Sequence, residues 1–137
     1  MSPLQIVSST PAQARPATSA EARLRQALEL AVQVDGGLAA GVAEIAGGAN
    51  LATAGGGIDV VAAAASLASV LRAKLKTFAL LRLTETLEDV IVTLGSQLHL
   101  LRIVDGHRFV WVVLDRSTAN LALARFRASE AADLIRG

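Results

Sequence analysis

Two histidines are the side chains of this sequence best suited to proton transfer or metal binding. His99 lies in a stretch with the pattern of a strand, and His107 lies in an Asp-Gly-His turn. Catalysis by histidine needs a nucleophile or a carboxylate held against the imidazole ring, and neither position belongs to a recognisable motif of that kind. We therefore interpret both as hydrogen-bonded or solvated histidines.

A cluster of three carboxylates has a sequence spacing compatible with a catalytic acid–base pair: Glu85, Glu88 and Asp89. A solvent-exposed loop whose charges balance a helix end is the simpler interpretation. Arg102 and Arg116 have the residue type that stabilises a transferring phosphate, but nothing beyond the residue type supports that role. With no cysteine and only two histidines, the sequence predicts no catalytic residue and no metal site.

A glycine run, Gly55-Gly56-Gly57, precedes a predicted helix and could in principle hold a phosphate at the helix N-terminus. The chain lacks both the Gly-x-x-x-x-Gly-Lys-Ser/Thr and the Gly-x-Gly-x-x-Gly pattern, and no buried parallel strand is predicted before the run. The run therefore predicts a structural turn and no bound cofactor.

Length and charge indicate one soluble domain. The chain has 137 residues, with 13 basic and 12 acidic side chains, so it has almost no net field to attract nucleic acid. Residues 1–18 are rich in Pro, Ser, Thr and Ala and are predicted to be a disordered tail; residues 19–137 are predicted to form the domain. No signal peptide is recognised and the uncharged run Val60–Leu71 is too short for membrane insertion, which predicts a cytoplasmic protein.

Hydrophobic periodicity predicts the order α-β-β-α-β-β-β-α. Thr18 and Glu21 form a capping box before a helix over residues 19–34, and Ser117 is the expected cap of the last helix. The expected fold class is α/β (α+β), a layered sandwich with a five-stranded antiparallel sheet. The remaining predicted elements are strands over 38–45, 50–54, 89–94, 97–104 and 108–114 and a second helix over 59–80.

The last strand is apolar on both faces and is therefore expected at the centre of the sheet, with the first and third helices on one side and the second helix on the other. The strand over 89–94 alternates polar and apolar residues and is expected at an edge. Such an edge, with Ile91 on it, is a natural site for pairing with another chain.

The second helix is unusual because the side opposite its apolar stripe has small residues and no charge before Arg72. One explanation is that this side faces solvent and has alanine because alanine is a good helix former. Burial of this side against another subunit is the alternative that we favour, since small residues let helices approach closely. The expected homodimer interface comprises Ala62, Ala65, Ser66, Ser69, Ala73, Ile91 and Thr93.

Two segments, Leu94–Arg102 and Val112–Arg125, predict a tight hairpin, a return strand and a capped helix. Their residues resemble those of the Roadblock (dynein light chain) family as it occurs in bacteria. The resemblance covers residues 20–136 and implies the sandwich described above. It also implies a dimeric interaction module without enzymatic activity, often paired with a small Ras-like GTPase whose nucleotide cycle it regulates. No catalytic residue is carried over from the family.

Three functions remain open at this point: a regulator of a Ras-like GTPase, a structural scaffold or light-chain-like adaptor, and a small-molecule-binding or enzymatic domain. For a protein partner, the expected contact is the basic end of the second helix, with Arg72 and Lys76. The simpler role of these cations is to complement the helix dipole.

Overall fold

The computed structural model describes residues 5–6 and 18–137. Three helices and six strands follow the predicted order, with one short strand added at the start. The elements are β1 (Gln5–Ile6), α1 (Ser19–Val32), β2 (Gly37–Glu44), β3 (Asn50–Gly55), α2 (Val60–Leu80), β4 (Asp89–Thr93), β5 (Gln97–Ile103), β6 (Arg108–Asp115) and α3 (Leu121–Arg136).

The strands form one antiparallel sheet in the order β1-β3-β2-β6-β5-β4. The five predicted strands are confirmed, β6 lies inside the sheet, and β4 is an edge strand. The remaining strand, β1, pairs with β3 at the opposite edge. Apart from Gln5, Ile6 and Thr18, the expected disordered tail over residues 1–18 lies outside the described residues.

The sheet separates two hydrophobic clusters, because alternate residues of each strand point to opposite faces. On β6, Val110, Val112 and Leu114 pack toward α1 and α3. Phe109 and Trp111 pack toward α2 together with Val113. All six side chains are fully buried, so the expected central position of β6 between helix layers is confirmed.

The helix ends show one error in the sequence interpretation. Thr18 caps α1 as expected, since its hydroxyl accepts a hydrogen bond from the Glu21 N–H at 3.1 Å. The cap of α3 is Asn120, whose Oδ1 accepts from the Leu123 N–H at 3.0 Å, and Ser117 is not the cap. Ser117 instead bonds to Asp115 Oδ1 through its hydroxyl at 2.8 Å, in the turn that precedes the helix.

Within the described residues no helix is both long and apolar enough to cross a membrane. The same part of the chain contains no cluster of three or more His, Asp or Glu side chains suited to a metal ion.

Candidate functional site

The residues with catalytic potential have structural partners. His99 lies on β5, facing α2, and its Nε2 is 2.9 Å from Gln97 Oε1. Partial burial lowers the pKa of His99. His107 is exposed in the β5–β6 turn, where its backbone N–H donates to Asp105 Oδ1 at 2.9 Å. Within the part of the chain that the structure describes, neither imidazole ring is hydrogen-bonded to a nucleophile or a carboxylate.

The carboxylate cluster is divided among different partners. Asp89 accepts from Arg125 Nε of α3 at 2.9 Å, and this hydrogen bond raises the pKa of the Arg125 guanidinium. Glu88 lies 3.8 Å from Arg102 Nη1, and Glu85 is exposed in the loop before β4. The expected solvent-exposed loop does not include Asp89, which is the first residue of β4 and whose carboxylate is mostly buried against Arg125 of α3.

The outer side of α2 is the largest set of sequence-predicted site residues that the structure brings together. All are exposed and lie along one side of the helix: Ala62, Ala65, Ser66, Ser69, Arg72, Ala73 and Lys76. Val61, at the start of this side, is 71 % exposed. The opposite side packs on the sheet through Ala63, Ala64, Leu67, Ala68 and Leu71. We call the exposed set from Val61 to Ala73, without Arg72, the α2 outer face.

Asn50 fixes the beginning of α2 over the sheet. Its Nδ2 donates to the Val60 carbonyl at 3.0 Å, and its Oδ1 accepts from the buried Trp111 Nε1 at 2.8 Å. The indole ring occupies the space above Gly41, where a Cβ would overlap the ring. A buried tryptophan needs an acceptor for its N–H, and here that requirement places β3, β6 and α2 relative to one another.

The β2–β3 turn supports the middle of α2. Gly48 has φ +74° and lies so close to the helix that a Cβ there would be 2.8 Å from the Ala65 Cα. Arg72 Nη1 donates to the Ile45 carbonyl at 2.7 Å and to the Ala46 carbonyl at 3.2 Å. Arg72 is therefore used within its own chain, whereas exposed Lys76 makes no hydrogen bond or ion pair with the described residues.

The backbone N–H and C=O groups of β4 point alternately toward β5 and toward the open edge of the sheet. Hydrogen bonds join Ile103 N–H to the Glu88 carbonyl and Leu94 N–H to the Gln97 carbonyl. Because backbone groups of an antiparallel strand alternate in direction, the even-numbered residues of β4 face β5. Asp89, Ile91 and Thr93 consequently point their backbone N–H and C=O groups out of the sheet edge.

The side chains of β4 alternate between the two faces of the sheet. Ile91 packs on the α1–α3 side of the sheet, while Val90 and Val92 pack on the α2 side. By alternation Thr93 shares the side of Ile91. Ile91 and Thr93 therefore do not join the α2 outer face through their side chains, and what they contribute to the open edge is their backbone.

A groove connects the α2 outer face with the open half of the sheet. It has a volume of about 320 Å³ and is lined by Ala62 and Ser66 of α2 and by Gln97 and His99 of β5, among others. Over the α2 side of β4, Val90 and Val92 are only partly buried. The α2 outer face, this groove and the β4 edge thus adjoin one another. The surface has small residues on α2, apolar residues at Val90 and Val92, and polar side chains where Gln97 and His99 line the groove.

Sequence reasoning missed a group of exposed leucines at the end of α2. Leu80 and Leu81 are 73 % and 64 % exposed, and Leu83 is 49 % exposed. Helical periodicity ends at this point, so the pattern gave no signal of which leucines face the sheet. Leu80 lies seven residues after Ala73 and therefore continues the same side of α2 beyond Lys76.

The geometry of the described chain matches solved structures closely. Gliding protein MglB from Thermus thermophilus superposes with a TM-score of 0.75 at 16 % identity, covering 88 % of this chain and 91 % of that one. The Roadblock/LC7 domain from Streptomyces avermitilis gives 0.69 at 15 % identity, covering 81 % and 92 %. MglC from Myxococcus xanthus gives 0.58 at 26 % identity, covering 83 % and 97 %.

No protein-family model and no curated protein matches the sequence. The structural likeness nevertheless defines the class of domain: this chain has the Roadblock/LC7 fold, with MglB and Roadblock/LC7 domain proteins of bacteria as structural neighbours. The resemblance read from the sequence is confirmed at the level of the fold.

Proposed function

We propose that this chain is a non-catalytic homodimeric interaction module that regulates a small Ras-like GTPase in the cytoplasm. The observation that carries the proposal is the continuity of the α2 outer face with the open β4 edge. Nearly three turns of α2 have an exposed side without charge, beside a sheet edge whose outward backbone groups have no partner among residues 18–137. A monomer normally protects such surface.

The β4 sequence favours a particular two-fold pairing. With the axis at Ile91, Asp89 of one copy faces Thr93 of the other, and Val90 faces Val92. This register uses all five residues of β4 and opposes no like charges. It aligns the three outward-facing residues as hydrogen-bonded pairs, each able to exchange two backbone bonds. The same patch from both copies would then form one continuous sheet, with the two α2 helices on the same side.

The GTPase partner is inferred from the resemblance to bacterial Roadblock proteins. The structural neighbours include a gliding protein, MglB, which supports a regulatory role without specifying an activity. On this chain, the basic end of α2 supplies a charged rim beside an apolar centre. Because Arg72 bonds to its own β2–β3 turn, Lys76 is the residue that we propose for the partner contact.

A structural scaffold or light-chain-like adaptor is the alternative function. It would use the same dimer and the same surface, without any effect on GTP hydrolysis. An adaptor of this kind would hold its partners in a larger complex, whereas a regulator would change the nucleotide state of a GTPase.

The dimer is tested by sedimentation velocity of the wild type and two alanine-to-glutamate variants. Ala65→Glu places a charge on the α2 outer face, and two such charges meet near the axis, at a cost on the order of 3–5 kcal/mol for each unpaired buried charge. A cost of that size from one charge alone weakens association by about two to four orders of magnitude, and the second charge adds to the effect. Ala22→Glu, at an exposed position of α1, is the control and should remain dimeric. A folded wild-type monomer at about 50 µM, above a typical micromolar Kd, would refute the dimer.

The GTPase function is tested with purified Ras-like GTPases from the same organism. We expect the wild-type protein to change the rate of GTP hydrolysis or nucleotide exchange of one of them, and Lys76→Glu to reduce that effect at low salt while the dimer persists. Binding without any change in either rate would favour the scaffold. Micromolar binding of GTP to the isolated protein in calorimetry would contradict a purely regulatory module.

A further inference from the structure

The opposite edge of the sheet is covered by a very short strand. Without β1, the edge strand would be β3, and β1 pairs with it through two residues, Gln5 with Thr53 and Ile6 with Ala52. β3 itself spans six residues, from Asn50 to Gly55. The greater part of this edge therefore has no partner among the described residues.

β3 lacks the features that usually prevent edge-to-edge pairing. It contains no charged residue and no proline, and charges, prolines and covering segments are the common protective devices of edge strands. The β4 edge, by contrast, begins with Asp89, whose carboxylate is bound by Arg125. Among the described residues, β1 is the segment that covers part of the β3 edge.

Backbone alternation shows which bond holds β1. Gly56 N–H donates to the Leu38 carbonyl, and the β2–β3 register then directs Ala52 and Ala54 toward β2 and Thr53 toward the outside. Thr53 faces Gln5, so this pair exchanges the backbone hydrogen bonds of the β1–β3 ladder. The N–H of Ile6 points away from β3.

We propose that β1 is an intramolecular strand cap that keeps the β3 edge from pairing with the β3 edge of a second copy. A protein with two open edges adds copies at both ends and forms an open assembly, whereas one open edge gives a closed dimer. The uncharged β3 strand is self-complementary in the antiparallel sense, because no like charges meet at any register. Release of β1 therefore converts the closed assembly into an open one.

Adjacent proline substitutions in the full-length chain test this cap. Gln5→Pro removes the N–H that bonds to Thr53, whereas Ile6→Pro removes an N–H that points outward. In sedimentation velocity, Gln5→Pro should form species larger than the wild type that grow with concentration, and Ile6→Pro and Gln5→Ala should sediment like the wild type. Growth into an open assembly rests on the proposed β4 dimer. If the wild type is monomeric, that dimer is contradicted, and Gln5→Pro should then stop at a closed dimer formed through β3, which is still larger than the wild type.

Amide hydrogen exchange at Thr53 provides the second measurement. In the wild type we expect protection of this amide, and in dilute Gln5→Pro we expect at least a tenfold faster exchange that slows again as larger species form. A Gln5→Pro variant that keeps the wild-type size would overturn the proposal, whether or not its Thr53 amide exchanges faster. Equal growth of Gln5→Pro and Ile6→Pro would also overturn it.

Discussion

Replacing Asn50 with alanine should loosen α2 from the sheet. The substitution leaves Trp111 Nε1, in a fully buried side chain, without the acceptor now 2.8 Å away, and removes the 3.0 Å bond to the Val60 carbonyl. An orphaned buried donor costs about 1–3 kcal/mol, and a lost ordinary hydrogen bond about 0.5–1.5 kcal/mol. We expect the free energy of unfolding to fall by roughly 2–4 kcal/mol, which corresponds to a decrease in Tm of about 8–16 °C for a domain of this size.

Urea unfolding of a double-mutant cycle measures this effect. Trp111→Phe removes the indole donor, so Asn50→Ala should cost less in the Trp111→Phe background than in the wild type, by about 1 kcal/mol or more. A loss below about 0.5 kcal/mol, or additive effects of the two substitutions, would refute the role of Asn50 as the bond between α2 and β6. A measured loss that comes with weaker dimerisation would connect this bond to the function of the α2 outer face.

Three further predictions concern the support and the environment of α2. Arg72→Met should lower the free energy of unfolding by about 1–2 kcal/mol, because it removes the hydrogen bonds to the β2–β3 turn. Lys76→Met, the control, should change that free energy by less than about 0.5 kcal/mol. Equal effects of the two substitutions in urea unfolding would contradict this difference. Gly41→Ala should cost about 1–3 kcal/mol because its Cβ meets the Trp111 ring, and Gly47→Ala, with open space around it, should be nearly neutral in the same assay. Burial lowers the pKa of His99, so the folded state resists protonation of this residue and loses stability as the pH falls below the ordinary pKa of about 6.5. His99→Gln should therefore flatten the dependence of the free energy of unfolding on pH between about pH 7 and 5. An unchanged slope would contradict the role of His99 in this dependence.

Much of the fold follows from the sequence because its periodic signals are strong. Of the apolar stripe of the second helix, Ala64, Leu67 and Leu71 are buried on the sheet, whereas Leu75 is 37 % exposed. The two apolar faces of β6 are both covered. The sequence misplaces the cap of α3 because Ser117 and Asn120 are both good capping residues, and sequence alone does not say which of them lies next to the free backbone N–H groups of the first helical turn.

The candidate site is harder to predict because its parts meet only in three dimensions. Exposure of the α2 outer face is visible from the absence of charge, but the side of the sheet on which Ile91 packs depends on the β4–β5 register. A one-residue shift in that register reverses every side chain of a strand. In the same way, the hydrogen bond from Arg72 to the Ile45 carbonyl joins residues 27 positions apart, so a local sequence pattern cannot predict it.

The β4 pairing is tested most directly by disulfide formation, because the chain has no cysteine of its own. In a dimer centred on Ile91, the two copies of that residue form a hydrogen-bonded pair with Cα atoms about 5.5 Å apart, within the range that a disulfide spans. The two copies of Thr93 lie about 13 Å apart, four residues out of register. We expect Ile91→Cys to give a covalent dimer under mild oxidation and Thr93→Cys to remain uncrosslinked. Crosslinking of Thr93→Cys alone, or of neither variant at a concentration where the protein is dimeric, would contradict the account.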